Sequence, residues 1–434
     1  MTTTLARLLD GRMPDPDGPG MLSVPIRHVV IAPTLAGGEA DLVGRLGFGR
    51  RIGIVSDVRT RAVLAERIET ALSPHHDLRM IVIEGEPHPD QDTVARVMAW
   101  VQGCDALIAV GSGTINDITK YAAFQAEMPF AVFGTAPSMN GYTSVSAAIT
   151  VGGHKKSLPA RTPIGVFLDL GVLARAPERL VRAGFGDSIC RATAQVDWLM
   201  AHRLRGEPYR TAPYALLAED EAGLIANPAA LLTGDLVAME RLARTLILSG
   251  LGMTICGNSK PASQGEHLLS HYVEMMAMPD LPHALHGEQI AVTTLAMARL
   301  QARMINGPAP VLTATRPNAL SLEAHFGSSI GASCWADFAG KRLNEAEAFE
   351  MTTRMRGLWP DLTSELRDCG RPAAEIEAAL LALGAPTHPR DLGWPNGLTR
   401  DAMVHAREIR DRYTFLDLGG DAGLLDEQAN AWVR

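Results

Sequence analysis

The sequence contains no C-x-x-C pair, and its five cysteines (Cys104, Cys190, Cys256, Cys334 and Cys369) are odd in number. That argues against a disulfide framework and for reduced, mostly buried thiols in a cytoplasmic protein. No apolar run approaches the length of about 18 residues that suggests a membrane span, so no membrane association is expected. The first twenty residues carry Asp10, Asp15 and Asp17 and no apolar core segment, which argues against a secretory signal. Basic clusters are missing too. The formal net charge of −8 is spread along the chain, so a nucleic-acid surface is not expected. Internal repeats and low-complexity segments are likewise absent.

What remains is an ordinary globular composition, 47% apolar and 20% charged, in a chain of 434 residues. That composition excludes general disorder, and that length favours two domains. Up to about residue 180, short runs rich in Val, Ile and Ala alternate with amphipathic stretches. The runs His28–Ile31, Arg51–Val55, Arg79–Ile83, Ala106–Val110, Phe130–Phe133 and Gly165–Leu168 predict strands. Segments such as Arg59–Leu72 and Gln91–Val101 predict helices between them. Such alternation predicts a parallel sheet covered by helices. Beyond Pro177 no alternating strand pattern is found. Pro228–Ser249, Glu288–Ile305, Glu345–Leu358 and Pro372–Leu383 have apolar residues at helical spacing, and Asn306–Pro317 reads as a connector. The expected organisation is an α/β domain over 1–180 and an all-α domain over 181–434.

The run "LIAVGSGTINDITKYAA" places Gly111, Ser112, Gly113 and Thr114 between a strand and a helix. Glycines let backbone amides approach an anion, and a helix N-terminus favours negative charge. Asn116 stands where the common dinucleotide fingerprint has its third glycine, so the loop is not the ordinary one. Asp117 and Lys120, three apart on the new helix, fit either a surface ion pair or groups facing a ligand. Asp57, just past a strand end, fits a ribose contact or a helix cap. Glu86 has the same two readings.

Three segments carry candidate metal ligands: Asp187 in "AGFGDSICR", His267 and His271 in "PASQGEHLLSH", and His286 in "HGEQIA". His267 and His271 are four apart and share a helical face. Two or three of these histidines with one carboxylate would suit Zn²⁺, Fe²⁺ or Ni²⁺. Each histidine taken singly also fits a packed or surface residue.

In order, "VGSGTINDITKYAA", "FGTAPSMNGYTS", "AGFGDSICR" followed by "DW", "PASQGEHLLSH", "HGEQIA" and "IRDRYTFLDL" resemble the sn-glycerol-1-phosphate dehydrogenases, in their bacterial branch. These belong with the iron-type alcohol dehydrogenases, glycerol dehydrogenase and dehydroquinate synthase. The resemblance spans about residues 25 to 420. It implies a nucleotide-binding α/β domain, a helical metal- and substrate-binding domain, and an active site between them. It implies Asp187, His267 and His286 as ligands of one divalent ion, and Gly111 to Thr114 as the pyrophosphate site of NAD or NADP. It places Asp57, and more weakly Glu86, at the nucleotide, Thr135 and Ser138 on the nicotinamide side, and His271 near substrate. Asp117 and Lys120 match its D-x-x-K, with Asp117 a catalytic and cofactor candidate. A homodimer or larger homo-oligomer is implied as well.

Three positions depart from that pattern. Asn140 stands where the family has Asp near the substrate hydroxyl, and it cannot act as a carboxylate base. Arg191 replaces Lys, and Lys260 replaces Arg; the two cations differ at a phosphate. The expected reaction is reversible reduction of dihydroxyacetone phosphate to sn-glycerol 1-phosphate, with His271 relaying a proton and Lys156 and Lys260 at the phosphate. The alternatives are a different polyol, sugar phosphate or phosphonate alcohol, a dehydroquinate-synthase-like cyclase, and an inactive partner subunit. Asp57 favours NAD over NADP.

Overall fold

The protein is described from a computed structural model covering residues 3–151, 154–277 and 281–434. Among the described residues there are eight strands: β1 (His28–Ala32), β2 (Arg51–Asp57), β3 (Asp77–Ile83), β4 (Ala106–Gly111), β5 (Phe130–Gly134), β6 (Ser146–Val151), β7 (His154–Pro159) and β8 (Gly165–Asp169). Six form one sheet in the order β1-β8-β5-β4-β2-β3, every pair parallel. Every residue of β4, β5 and β8 is buried, so the central strands are covered on both faces. That is why their sequences are continuous apolar runs rather than alternating ones. All six sheet strands coincide with expected strand segments.

The antiparallel pair β6–β7 lies outside that sheet and outside those expectations. Its signal is a short alternation, with Ala147 and Ile149 buried between half-buried Ser146, Ala148 and Thr150. The helix expected over Pro228–Ser249 also differs in detail. A 3₁₀ turn, Pro228–Leu232, comes first, and the helix Leu236–Cys256 starts only after Gly234 and Asp235. Gly234 has φ +77°, and the Asp235 carboxylate accepts from Val237 N and Ala238 N. Those two residues end one element and cap the next.

Two compact units result, Met1–Ser188 with Thr211–Ser259, and Ile189–Arg210 with Lys260–Arg434. The chain thus leaves the first unit after Ser188, returns after Arg210 and leaves again after Ser259. Apolar spacing marks 211–259 as helical but does not say which core its apolar face joins.

In the first unit the helix Gly113–Gln125 follows β4. Lys120 on this helix is completely buried. Its ammonium donates to Gly141 O (2.5 Å), Ser144 O (3.3 Å), Ser144 Oγ (3.2 Å) and Ser146 O (3.2 Å). One turn earlier, Asp117 Oδ2 accepts from Ala148 N at 3.1 Å. The Asp117/Lys120 pair is therefore no surface ion pair: it pins the segment 141–148. Burial pushes the Lys120 ammonium down to about 8.

The second unit packs around one core that includes Val196, Met200, Leu268, Tyr272, Val292, Leu300 and Leu416. At its centre is Asp197, fully buried on the helix Arg191–Arg205. Its Oδ2 accepts from Gly265 N (3.0 Å), and its Oδ1 from Phe415 N (2.9 Å) and Gln301 Nε2 (3.1 Å). Gly265 and Phe415 are the first residues of the helices Gly265–Ala277 and Phe415–Asp421. Their amides are among those a helix cannot satisfy internally. Burial and the nearby Glu266 push the Asp197 carboxyl up to about 8.

Asp197→Ala strands three buried donors and is expected to lower the unfolding free energy by at least about 3 kcal/mol in urea titrations, since each unpaired group costs about 1–3 kcal/mol. Lys120→Met is expected to speed amide exchange over residues 141–148 and to cost about 1–3 kcal/mol. The pH dependence has a definite sign. Between about 8, where folded Lys120 loses its proton, and about 10.4, where an unfolded lysine does, the unfolded chain binds more protons. Wild-type stability should therefore rise relative to Lys120→Met as pH climbs through that window. A flat difference would show that burial does not depress this lysine.

Candidate active site

Asp57, the 111–114 loop and Thr135 lie at the carboxyl ends of neighbouring parallel strands, where open α/β sheets bind ligands. Asp57 ends β2, Gly111 ends β4 and Gly134, next to Thr135, ends β5. The Asp57 side chain caps a helical turn, accepting from Thr60 N at 2.7 Å while Thr60 Oγ1 accepts from Asp57 N at 3.0 Å. Glu86 is exposed and pairs with Arg59 at 2.5 Å. Ser112 precedes the helix Gly113–Gln125 with no side-chain capping bond, so its hydroxyl does not occupy the first amides of the helix. Thr135 N donates to Gly111 O at 3.1 Å and ties the GTAPS segment to the glycine loop.

Two glycines allow this packing. A Cβ on Gly184, in the helix Glu178–Ser188, would lie 1.6 Å from Pro137 O. One on Gly250 would lie 2.5 Å from Asn140 O. Both contacts are with backbone, so no rotamer change could relieve them. The helices Glu178–Ser188 and Leu236–Cys256 thus press directly on the segment that carries Ser138 and Asn140.

Asp187, 1% exposed on the helix Glu178–Ser188, accepts from the Asn140 backbone amide at 2.7 Å through Oδ2. The sequence directs attention to the Asn140 side chain, but its N–H is what orients this carboxylate. Any residue at 140 except proline supplies that bond. Lys156 lies on β7 and is exposed.

In the second unit three histidines cluster. His267 and His271 lie one turn apart on the helix Gly265–Ala277, and His286 begins the helix His286–Ile305. Ring centroids are 5.1 Å apart for His267–His286, 5.7 Å for His267–His271 and 6.2 Å for His271–His286. Lys260 is half-buried and paired with Glu207 at 2.7 Å.

Sequence reasoning missed Glu266, which directly precedes His267 and has no exposed surface. Its Oε1 is 3.0 Å from His267 Nδ1 and accepts from Gln264 N at 2.7 Å, while Oε2 accepts from Thr193 Oγ1 at 3.1 Å. Burial pushes the Glu266 carboxyl up, but the His267 ring and the Gln264 amide outweigh it and leave the group below the usual carboxylate range. The "GEH" adjacency was the available signal. Arg412 was missed as well. It donates to both the carbonyl and the hydroxyl of Ser263, joining "IRDRYTFLDL" to the "PAS" segment ahead of the histidine helix.

Comparisons with known proteins bear on the family and the fold. The family model described as iron-containing alcohol dehydrogenase matches residues 30–177. A glycerol-1-phosphate dehydrogenase (NAD(P)+) of Bacillus licheniformis is 30% identical over 382 residues, covering 87% of this chain and 84% of its own. One from Pyrococcus furiosus is 32% identical over 279 residues, 63% of this chain and 78% of that protein. Among solved structures, glycerol dehydrogenase from Schizosaccharomyces pombe superposes with a TM-score of 0.63 at 15% identity, over 94% of this chain and 90% of that one. Sulfoacetaldehyde reductase from Bifidobacterium kashiwanohense, solved in complex with NAD+, also gives 0.63, at 14% identity over 94% and 97% of the two chains. Those two structural likenesses bear on the fold alone. With the sequence relatives covering most of its length, the chain belongs to the glycerol-1-phosphate dehydrogenase family of dehydrogenases.

Proposed function

We propose that this protein is a metal-dependent, NAD(P)-linked dehydrogenase that reversibly reduces dihydroxyacetone phosphate to sn-glycerol 1-phosphate. The observation that carries the metal reading is the histidine cluster, with His267 already held through Nδ1 by a buried carboxylate. That bond leaves Nε2 as the coordinating atom. Asp187, His267 and His286 supply one carboxylate and two imidazoles, a donor set that suits Zn²⁺, Ni²⁺ or Fe²⁺. The Asp187 carboxylate is likewise oriented, by the Asn140 amide.

When bound, such an ion supplies Lewis acidity at the substrate oxygen, and the nicotinamide supplies or accepts hydride. The chain's own residues do the rest. The amides at the start of the Gly113 helix, with Gly111 to Thr114, hold the pyrophosphate. Thr135 and Ser138 line the nicotinamide side. Asp57, already committed to a cap, presents negative charge at the ribose, which supports NAD over NADP. His271 holds the proton that moves to or from the substrate oxygen, and Lys156 and Lys260 meet the phosphate. Asp117 acts through the segment it pins. A sequence with an odd number of cysteines and no C-x-x-C pair supports a cytoplasmic address. The family resemblance supports a homodimer or larger homo-oligomer, which light scattering on purified protein tests.

Asn140 favours a second reading on the same scaffold, a different polyol or sugar phosphate, because its side chain cannot act as a carboxylate base.

Purified protein with NADH or NADPH, dihydroxyacetone phosphate and each of Zn²⁺, Ni²⁺ and Fe²⁺ is expected to lose absorbance at the reduced-nicotinamide band. No oxidation with any ion would sink the substrate assignment, and a panel of other ketones would then find the true one. His267→Ala is expected to lose bound metal along with turnover; an unchanged metal-to-protein ratio would remove it from the ligand set. Asn140→Asp is expected to raise kcat/KM on glycerol 1-phosphate severalfold if the substrate has been retuned, and to leave the metal ratio unchanged because the 140 amide is kept.

A further inference from the structure

Glu266 is an expensive residue to place where it stands. It is a carboxylate with no exposed surface, in a unit whose nearby hub, Asp197, is a second buried carboxylate. A buried charge is strongly disfavoured unless its oxygens are satisfied. Three donors reach it, and they come from three places: the Gln264 amide ahead of the helix, the Thr193 hydroxyl on the Arg191 helix, whose one proton is shared with Cys190 O, and the ring of the next residue, His267. A carboxylate needed only to finish the helix start would be served by the Gln264 amide, and the first of those three bonds already does that. The remaining two form a line, Thr193 to Glu266 to His267, that ends on a candidate ligand.

A second donor lies at the same place. Cys190 Sγ, a Glu266 oxygen and a His267 nitrogen all lie within 4.8 Å of one another. Cys190 is buried, 3.5 Å from Ala262 O through its sulfur. A thiolate and an imidazole are good ligands for Zn²⁺ and Fe²⁺. Holding Nδ1 on Glu266 keeps that nitrogen from joining Cys190 and leaves Nε2 as the nitrogen available to an ion.

We infer that Glu266, backed by Thr193, is a positioning residue for the metal: it sets the tautomer and orientation of His267. The inference rests on the metal reading of Proposed function and adds to it two residues that do not touch the ion. A carboxylate on the far nitrogen of a ligating imidazole typically changes metal affinity 10- to 100-fold. Thr193, one bond further out, should matter less.

The test compares wild type, Glu266→Gln and Thr193→Val, each stripped of metal and titrated with Co²⁺ against a competing chelator. The visible cobalt spectrum reports the ligand field, and thermal unfolding of the apo proteins reports the fold. Glu266→Gln is expected to bind Co²⁺ roughly 10- to 100-fold more weakly with a shifted visible spectrum. Thr193→Val, nearly isosteric, is expected to weaken binding severalfold with its apo unfolding midpoint kept, and it carries the test should Glu266→Gln fold poorly. Wild-type affinity and an unshifted spectrum in Thr193→Val and in folded Glu266→Gln would overturn the inference while leaving the metal site standing. Absence of Co²⁺ binding by the wild type would overturn the metal reading itself, and this inference with it.

Discussion

The Asp197 carboxylate, with no surface exposed, accepts from the first amides of two helices and from the side chain of a third element. One of those helices is Gly265–Ala277, which carries Glu266, His267 and His271. The position of the histidines along and around that helix is therefore set where the helix begins. A helix start left without partners in a dry core costs more than one in water, and this one is anchored by a group that cannot move without stranding Phe415 and Gln301 as well. Glu266 extends the same logic by one residue, from the start of the helix to the ring of His267.

The first unit solves a similar problem with a cation. Lys120 gathers three carbonyls and a hydroxyl from residues 141 to 146, and Asp117 adds the Ala148 amide. Gly184 and Gly250 let two helices lie directly against the neighbouring stretch. That stretch supplies the Asn140 amide to Asp187. Backbone geometry, more than side-chain identity at position 140, orients the carboxylate. A departure from the family's residue there therefore leaves the orientation of Asp187 unchanged. In both units buried charged groups act as fixed points for segments that carry candidate functional side chains, and their cost of burial is offset by several hydrogen bonds each.

The family resemblance and the physical description meet at particular places. "VGSGTINDITK" reads as a loop and a helix start, and it is that; it is also the segment that anchors the β6 edge through Asp117 and Lys120. "AGFGD" contains the glycine demanded by Pro137 O and the aspartate held by Asn140. "DW" contributes Asp197, and "IRDRYTFLDL" contributes both Arg412, bound to Ser263, and Phe415, bound to Asp197. Motifs scattered over the chain are thus joined by hydrogen bonds within each unit.

By itself the sequence determined the six-stranded sheet, the helical remainder and the pairing of His267 with His271. These depend on local periodicity and on burial of whole strands, which composition displays directly. It also displayed the ordered motifs that carry the family. Tertiary structure alone decided the rest. Whether Lys120 is a surface cation or a buried anchor depends on what packs over it, and no spacing rule encodes that. The hairpin β6–β7 has too short and too polar an alternation to stand out from loop. Helical spacing in 211–259 could not say which unit its apolar face would join, because any apolar surface removes the same water. Glu266 stood beside His267 in plain sight, but adjacent residues on a helix point in different directions, and only the tertiary structure turns this carboxylate back onto its neighbour's ring.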